Sequence, residues 1–282
     1  MSDTLRELLK RAGEHLATRG IETEALDARL LLQAASGLRH EEIVAEPDLI
    51  LSADVTARFW SLFERRCKFE PVSRILGNRE FYGRNFRVTP DVLDPRADTE
   101  TLIGAALALA KGKGPLRILD LGTGSGIIVV TLLFELPRAR AVASDLSAAA
   151  LQVAKGNAEA LGVAHRARFV QANWFDGVDG QFDLIVSNPP YIPLGDIAGL
   201  AVDVRDFDPP KALDGGPDGL EAYRRIASGA GGHLAPKGHI ILEIGAGQEN
   251  AVNDLFRGQG FVQESRHFDL AGYVRCLVFN RP

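Results

Sequence analysis

Asn188-Pro189-Pro190-Tyr191 follows directly on an apolar run, Phe182-Asp183-Leu184-Ile185-Val186-Ser187, that reads as a strand. The two prolines fix φ and remove two backbone donors, which leaves carbonyl oxygens free to accept from an incoming NH2 group. The Asn188 side chain adds a further acceptor, and Tyr191 offers a flat face to a planar group. The tetrapeptide therefore suits chemistry at an amide or amino nitrogen. The plainer alternative is a proline-punctuated turn at a strand end.

Three upstream strand ends bear on that choice. Leu116-Arg117-Ile118-Leu119-Asp120-Leu121 enters Gly122-Thr123-Gly124-Ser125-Gly126, and an apolar run from Ile127 leaves it, so the order is strand, tight turn, helix. A dinucleotide fingerprint would place its third glycine one position later, where Ile127 stands, and no Gly-Lys-Ser/Thr follows to make a P-loop. Such a loop still brings backbone N–H groups and a helix N-terminus close to a ligand. The run Arg140-Ala141-Val142-Ala143-Ser144 ends in Asp145, which a doubly wound sheet would place beside the glycine loop to accept from both hydroxyls of a ribose. The alternative is that Asp145 caps the helix beginning at Ser147. A third run, residues 167–172, ends at Asn173 and Trp174, suited to hydrogen-bond and stack on an adenine, unless the aromatic is simply core.

The elements that position these ends follow from periodicity. Residues 1–74 form an N-terminal helical domain of four or five short helices, with apolar positions at helical spacing (Leu5, Leu8, Leu9, Ala12, Leu16) and punctuation at Pro47 and Ser52. A role in substrate recognition is expected for it, with stabilisation of the second domain as the alternative. Residues 75–92 alternate as strands and form a hairpin linker turning at Gly83-Arg84-Asn85. Across residues 93–282 strands and helices alternate, which predicts a parallel sheet flanked by helices, with the last strand in an antiparallel hairpin.

Composition narrows the class. Hydrophobic residues make up 46% and charged residues 24% of the 282, an ordinary globular mixture, and a formal net charge of -5 argues against a nucleic-acid clamp. Two cysteines are too few for a disulfide framework, and the six histidines show no metal-ligand spacing. No signal peptide or membrane-length apolar run is evident, so a cytoplasmic location is expected.

The ordered set of strand ends resembles the class I S-adenosylmethionine-dependent methyltransferases, and among them the protein-(glutamine-N5) methyltransferases that act on peptide chain release factors. The segments Ile75 to Val88 and Val92 to Glu100, including Asp94-Pro95-Arg96-Ala97, are similar to that family's interdomain region. Asp208-Pro209-Pro210-Lys211 and Leu242-Glu243-Ile244-Gly245 also follow its pattern, and the likeness spans roughly residues 70–282. Asp94, Ala97, Asn173 and Asp208 stand where the family usually carries other residues. The resemblance implies a Rossmann-like, mostly parallel seven-stranded sheet, with S-adenosylmethionine as cofactor at Gly122, Thr123, Gly124, Ser125, Gly126, Asp145, Asn173, Trp174 and Asn188. It implies a Gly-Gly-Gln glutamine of a class I release factor bound by Asn188, Pro189, Pro190, Tyr191 and Arg96. Asn188, Pro189 and Tyr191 would act in catalysis, and Arg96, Thr99 and Glu100 would border the site, with a structural salt bridge as the alternative for Arg96. No metal, nucleic acid or membrane is implied, and a monomer is expected. Two alternatives stay open: a nucleic-acid amino (adenine N6) methyltransferase, which shares the Asn-Pro-Pro-Tyr element, and a non-catalytic methyl-donor-binding module.

Overall fold

The structure, a computed structural model, describes residues 4–282. Its chain divides into two compact units, one running through Asn78 and taking in Val202–Phe207, the other comprising Arg79–Ala201 and Asp208–Pro282.

The first unit contains α1 (Leu5–Thr18), α2 (Glu24–Ser36), α3 (His40–Ala45), α4 (Ala53–Cys67) and α5 (Val72–Leu76). Thr4 and Glu7 form a capping box on α1, and the Ser52 hydroxyl accepts from the Val55 N–H to start α4. The helical spacing of Leu5, Leu8, Ala12 and Leu16 puts them on one face, where they join Leu31, Leu32, Phe59 and Phe63 in a closed apolar core. A buried ion pair ties α4 to α2: Arg66 Nε donates to Asp27 Oδ2 at 2.7 Å, and the Thr23 hydroxyl donates to the same oxygen at 2.9 Å.

In the hairpin β1 (Asn78–Phe81) and β2 (Arg84–Arg87), the turn is Tyr82-Gly83, not Gly83-Arg84-Asn85. Both turn residues have positive φ (51° and 71°), the requirement of a two-residue connection whose twist matches the strands, and Arg84 and Asn85 are already in the second strand.

The second unit is built on a seven-stranded sheet of order β5-β4-β3-β6-β7-β9-β8. Its elements in chain order are α6 (Glu100–Ala110), β3 (Arg117–Leu121), α7 (Ile127–Glu135), β4 (Arg140–Asp145), α8 (Ala148–Ala160), β5 (Ala167–Gln171) and β6 (Phe182–Ser187). Then come α9 (Val202–Arg205, within the first unit), α10 (Pro210–Leu213), α11 (Glu221–His233), β7 (Leu234–Glu243), α12 (Glu249–Gly258), β8 (Val262–Phe268) and β9 (Val274–Asn280). Strands β3 to β7 are parallel, and β9 is antiparallel to both β7 and β8, as the sequence predicts. Alternation splits the sheet's side chains between two cores: Leu184, Val186 and Ile241 on one face, Ile185, Ile240 and Leu242 on the other. Coverage of both faces explains why the parallel strands are apolar almost throughout. Between β3 and β6 the strand order reverses direction across the sheet, and such a switch point leaves a crevice at the carboxyl ends of the strands. Among the described residues no helix is long and apolar enough to cross a membrane. Cys276 is buried and Cys67 half-buried, and both are free thiols.

Candidate active site

The crevice is a cleft of about 620 Å³ whose wall is drawn from the carboxyl ends of β3, β4, β5 and β6 and from residues 91–99 and 209–212. Gly122, Thr123, Gly124 and Ser125 contribute the glycine loop to it. Gly126 closes the loop from behind, at φ +81°, where an added Cβ would stand 3.0 Å from the Ala154 Cβ, so only glycine lets α7 start this close to α8. Asn157 of α8 fastens the same loop by donating to the Ser125 carbonyl at 2.8 Å, and it exchanges bonds with Arg87 of the hairpin.

Beneath the loop lies Asp120, fully buried in β3, whose Oδ2 accepts from the Thr123 hydroxyl at 2.6 Å. Burial foremost, with the Asp145 charge adding to it against the Thr123 bond, pushes the Asp120 carboxyl up to about 7. Asp145 at the end of β4 is tied to two backbone groups. Its Oδ1 accepts from the Ser147 N–H at 2.8 Å, which supports the start of α8, and its Oδ2 accepts from the Gly124 N–H at 2.9 Å, which locks the loop. Each oxygen keeps a second lone-pair site, and Asp145 lines the cleft.

Asn173 and Trp174 also line the cleft. Trp174, just beyond the end of β5, is held at φ +57°, a conformation costly for an aromatic residue. Asn188 and Pro190 line the cleft too, whereas Pro189 is buried and neither it nor Tyr191 is among the cleft-lining residues. Tyr191 is anchored through its main chain. Gln248 Nε2 donates to the Tyr191 carbonyl at 2.9 Å, and at Gly215 an added Cβ would come within 2.9 Å of the Tyr191 backbone. Burial first, and the Glu243 carboxylate second, push the Tyr191 hydroxyl up to about 12, so it stays protonated at neutral pH.

Arg96 is both a cleft residue and an ion-pair partner: its guanidinium donates to Asp208 Oδ2 at 2.6 Å, and Asp208 Oδ1 accepts from the Asp94 N–H at 2.9 Å. Asp208 thus clips segment 94–96 to the chain that leads into α10. Thr99 borders the cleft as well, while Glu100 is turned to the hairpin, where it accepts from the Tyr82 N–H.

Sequence reasoning did not identify the partners of Asn188. Its Nδ2 donates to the Thr99 hydroxyl oxygen at 3.2 Å, and that hydroxyl donates to Glu243 Oε2 at 2.7 Å. Glu243, at the end of β7, is buried, and desolvation pushes its carboxyl up to about 7 against the lowering effects of the Thr99 bond and the Arg275 charge. An acid closing an apolar strand, Ile240-Ile241-Leu242-Glu243, was the available signal.

The residues present fit an adenosine-bearing cofactor: a glycine loop closed from behind, a carboxylate with two free lone-pair sites, and an aromatic wall beside an amide. Among the described residues no group of three or more His, Cys, Asp or Glu could hold a metal.

Comparisons with known proteins agree with this fold. The chain matches the PrmC N-terminal domain over residues 7–77 and the methyltransferase small domain over residues 101–199. Among solved structures it is similar to a ribosomal protein L11 methylase from Lactobacillus delbrueckii subsp. bulgaricus (TM-score 0.51, 22% identity, 72% of this chain and 88% of that one). A methyltransferase from Pyrococcus furiosus is also similar (TM-score 0.50, 19% identity, 71% and 89%). Fold and site together define an S-adenosylmethionine-dependent methyltransferase. A release factor glutamine methyltransferase from Cereibacter sphaeroides is 46% identical over 276 residues, covering 98% of each chain, and one from Moorella thermoacetica is 42% identical over 280 residues, covering 99% of each. The chain belongs to the release factor glutamine methyltransferase family.

Proposed function

We propose that this enzyme methylates the side-chain amide N5 of the glutamine in the Gly-Gly-Gln motif of class I peptide chain release factors, with S-adenosylmethionine as donor. The observation that carries the reading is Asn188 on the cleft wall, at the end of the strand beside the glycine loop, with its amide nitrogen already committed to Thr99. That leaves its carbonyl oxygen as the group available to a substrate N–H. The near full-length relatives named for glutamine methylation support the same acceptor.

The chain's own contribution is orientation. A glutamine amide is a weak nucleophile because its nitrogen lone pair is delocalised into the carbonyl. Acceptors at Asn188 Oδ1 and the Pro189 carbonyl would hold its two N–H bonds, direct the lone pair and favour pyramidalisation. Such alignment is worth about 7–11 kcal/mol in well-oriented systems. Tyr191 and Pro190 would confine the planar group, and Arg96 would stand at the rim. When bound, S-adenosylmethionine supplies an electrophilic methyl on a sulfonium. Gly122 to Gly126 would hold it with Asp145, Asn173 and Trp174. A general base is not required before attack, and Tyr191, protonated, is not one. The N-terminal helical domain (residues 1–74), joined through the 75–92 hairpin to residues 93–282, is taken to help recognise the release factor. The enzyme is taken to be a cytoplasmic monomer with no nucleic-acid or membrane partner.

The test is mass spectrometry of a release factor incubated with enzyme and S-adenosylmethionine, with DNA as a parallel substrate. One methyl on the loop glutamine is expected; a methyl on DNA adenine instead would overturn the reading.

The adenine subsite has its own prediction. Trp174→Ala should weaken cofactor binding by about 1–3 kcal/mol, the usual worth of a base stacked on an aromatic ring. Asn173→Asp should preserve or tighten it, because a carboxylate still accepts from an adenine amino group. Calorimetry on both variants decides, and affinities equal to wild type in both would put adenine elsewhere.

A further inference from the structure

Asn188 can present two opposite faces to a substrate. An amide side chain is nearly symmetrical in shape, yet one end accepts hydrogen bonds and the other donates them. A substrate NH2 group needs the accepting end, so something must keep the amide from turning over. This question rests on the reading of Asn188 as an acceptor for the substrate.

The hydrogen-bond chain behind Asn188 has a direction that can be derived from valence alone. An ionised carboxylate only accepts, so Glu243 Oε2 at 2.7 Å must receive the single hydroxyl proton of Thr99. With its proton spent, Thr99 Oγ1 can only accept from its other partner, 3.2 Å away on Asn188. That partner is therefore the NH2 end, Nδ2, and Oδ1 is turned the other way. The Asn188 amide also favours the ionised form of Glu243, which is consistent with the same polarity.

We propose that Thr99 and Glu243 are positioning residues, which fix the Asn188 amide with Oδ1 toward the substrate only while Glu243 is ionised. A proton on Glu243 removes that constraint. The carboxylic acid can then donate to Thr99 Oγ1, which frees the Thr99 hydroxyl to donate toward Asn188. The amide is then also satisfied with its oxygen toward Thr99 and its NH2 toward the cleft, where it opposes the substrate's own NH2.

The surroundings of Glu243 make both states accessible. Arg275 favours the ionised form, but its guanidinium is shared with Asp269 at 3.0 Å and Asp98 at 3.4 Å. Asp98 opposes ionisation, and the other titratable groups that feel the Glu243 charge are Tyr191, Tyr223 and Cys276, all held protonated by burial. Burial raises the Glu243 carboxyl to about 7, so the switch lies within a measurable range. The sign follows: the active arrangement is complete well above that value and is lost as pH falls through it.

The experiment is the pH dependence of kcat in wild type and in three variants, with cofactor affinity measured alongside. Wild type should lose about tenfold in kcat per pH unit on the acid side of the Glu243 transition. Thr99→Val should lower kcat at pH 8 by about 10²-fold, the scale of a misaligned reacting group, with cofactor Kd changed by less than about threefold. Thr99→Ser keeps the hydroxyl and should keep both the rate and the acid limb. Glu243→Gln should lower kcat and abolish the acid limb. Asp120, raised to about 7 as well, is the competing titration; it lies under the glycine loop, so its signature is a pH-dependent cofactor Kd that persists in Glu243→Gln. In the ligand-free protein, the Asn188 side-chain amide protons should shift with a midpoint near that of Glu243 by NMR, and the shift should vanish in Glu243→Gln. An acid limb unchanged in Glu243→Gln, or wild-type kcat in Thr99→Val, overturns the proposal. If Thr99→Val fails to fold, seen as lost cofactor binding, the Glu243→Gln profile decides. Asn188→Ala tells the two levels apart: full activity there would refute the acceptor reading itself, whereas an inactive Asn188→Ala beside an unimpaired Thr99→Val would refute only the chain.

Discussion

Asn188→Ala is expected to reduce kcat by about 10²–10³-fold, the scale seen when one preorganised hydrogen-bonding group of an active site is removed, while cofactor Kd moves by less than about threefold. The split follows from where the side chain is anchored. Its nitrogen is bonded to Thr99 and, through it, to Glu243, none of which belongs to the glycine loop or to Asp145. Truncation therefore leaves the cofactor's contacts in place and removes an acceptor whose bond strengthens as the substrate nitrogen takes on positive charge. Interactions that strengthen only there are lost from kcat rather than from binding. Asn188→Asp is the sharper probe. A carboxylate still accepts the N–H bond, but it adds charge beside buried Glu243 and forfeits the donor to Thr99, so activity between wild type and Ala is expected. Single-turnover rates with a release factor, set beside calorimetric affinities for S-adenosylmethionine, provide the measurement. Equal loss of affinity and rate in Asn188→Ala would move Asn188 from the acceptor site to the cofactor site.

The parts of this site that lie at strand ends are legible in the sequence, because a parallel sheet advertises each strand as an apolar run and delivers whatever follows it to one edge. Gly122 to Ser125, Asp145, Asn173, Trp174 and Asn188 all meet in one cleft for that reason. Contacts made across the sheet order are not legible. Thr99 and Glu243 stand 144 residues apart, and Thr99 and Asn188 stand 89 apart. What joins them is that β7 pairs beside β6, a fact no local pattern encodes. The dual nature of Arg96, cleft residue and partner of Asp208, is likewise a product of long-range closure over 112 residues. The hairpin shows a smaller limit. Gly83 correctly signals a turn, but the second left-handed position falls on Tyr82, which residue type alone does not favour. Asp120 is not legible either, since the run Leu119-Asp120-Leu121 marks it only as part of a strand, whereas the structure buries it against Thr123.

Asp145→Ala should weaken S-adenosylmethionine binding by about tenfold to a hundredfold, from the loss of at least one hydrogen bond to a charged acceptor worth about 1.5–3 kcal/mol. The carboxylate already accepts one backbone N–H on each oxygen, from Ser147 and Gly124, and a carboxylate offers about four lone-pair sites, so two remain for the two hydroxyls of a ribose. Truncation thus removes ligand contacts and loosens the glycine loop at once. Asp145→Asn separates these effects poorly, because its NH2 group would face one of the two backbone donors; it should bind nearly as weakly as Ala. The cleaner separation is thermodynamic. At a ligand concentration of 100 Kd for wild type, binding adds about 2.7 kcal/mol to folding stability, and a variant with a hundredfold higher Kd would gain only about 0.4 kcal/mol at the same concentration. Ligand-free unfolding reports the loop's share, and the ligand-induced increment reports the ribose contacts. An increment unchanged in Asp145→Ala would mean that Asp145 serves only the loop and α8, and that the ribose hydroxyls are held by another side chain of the cleft.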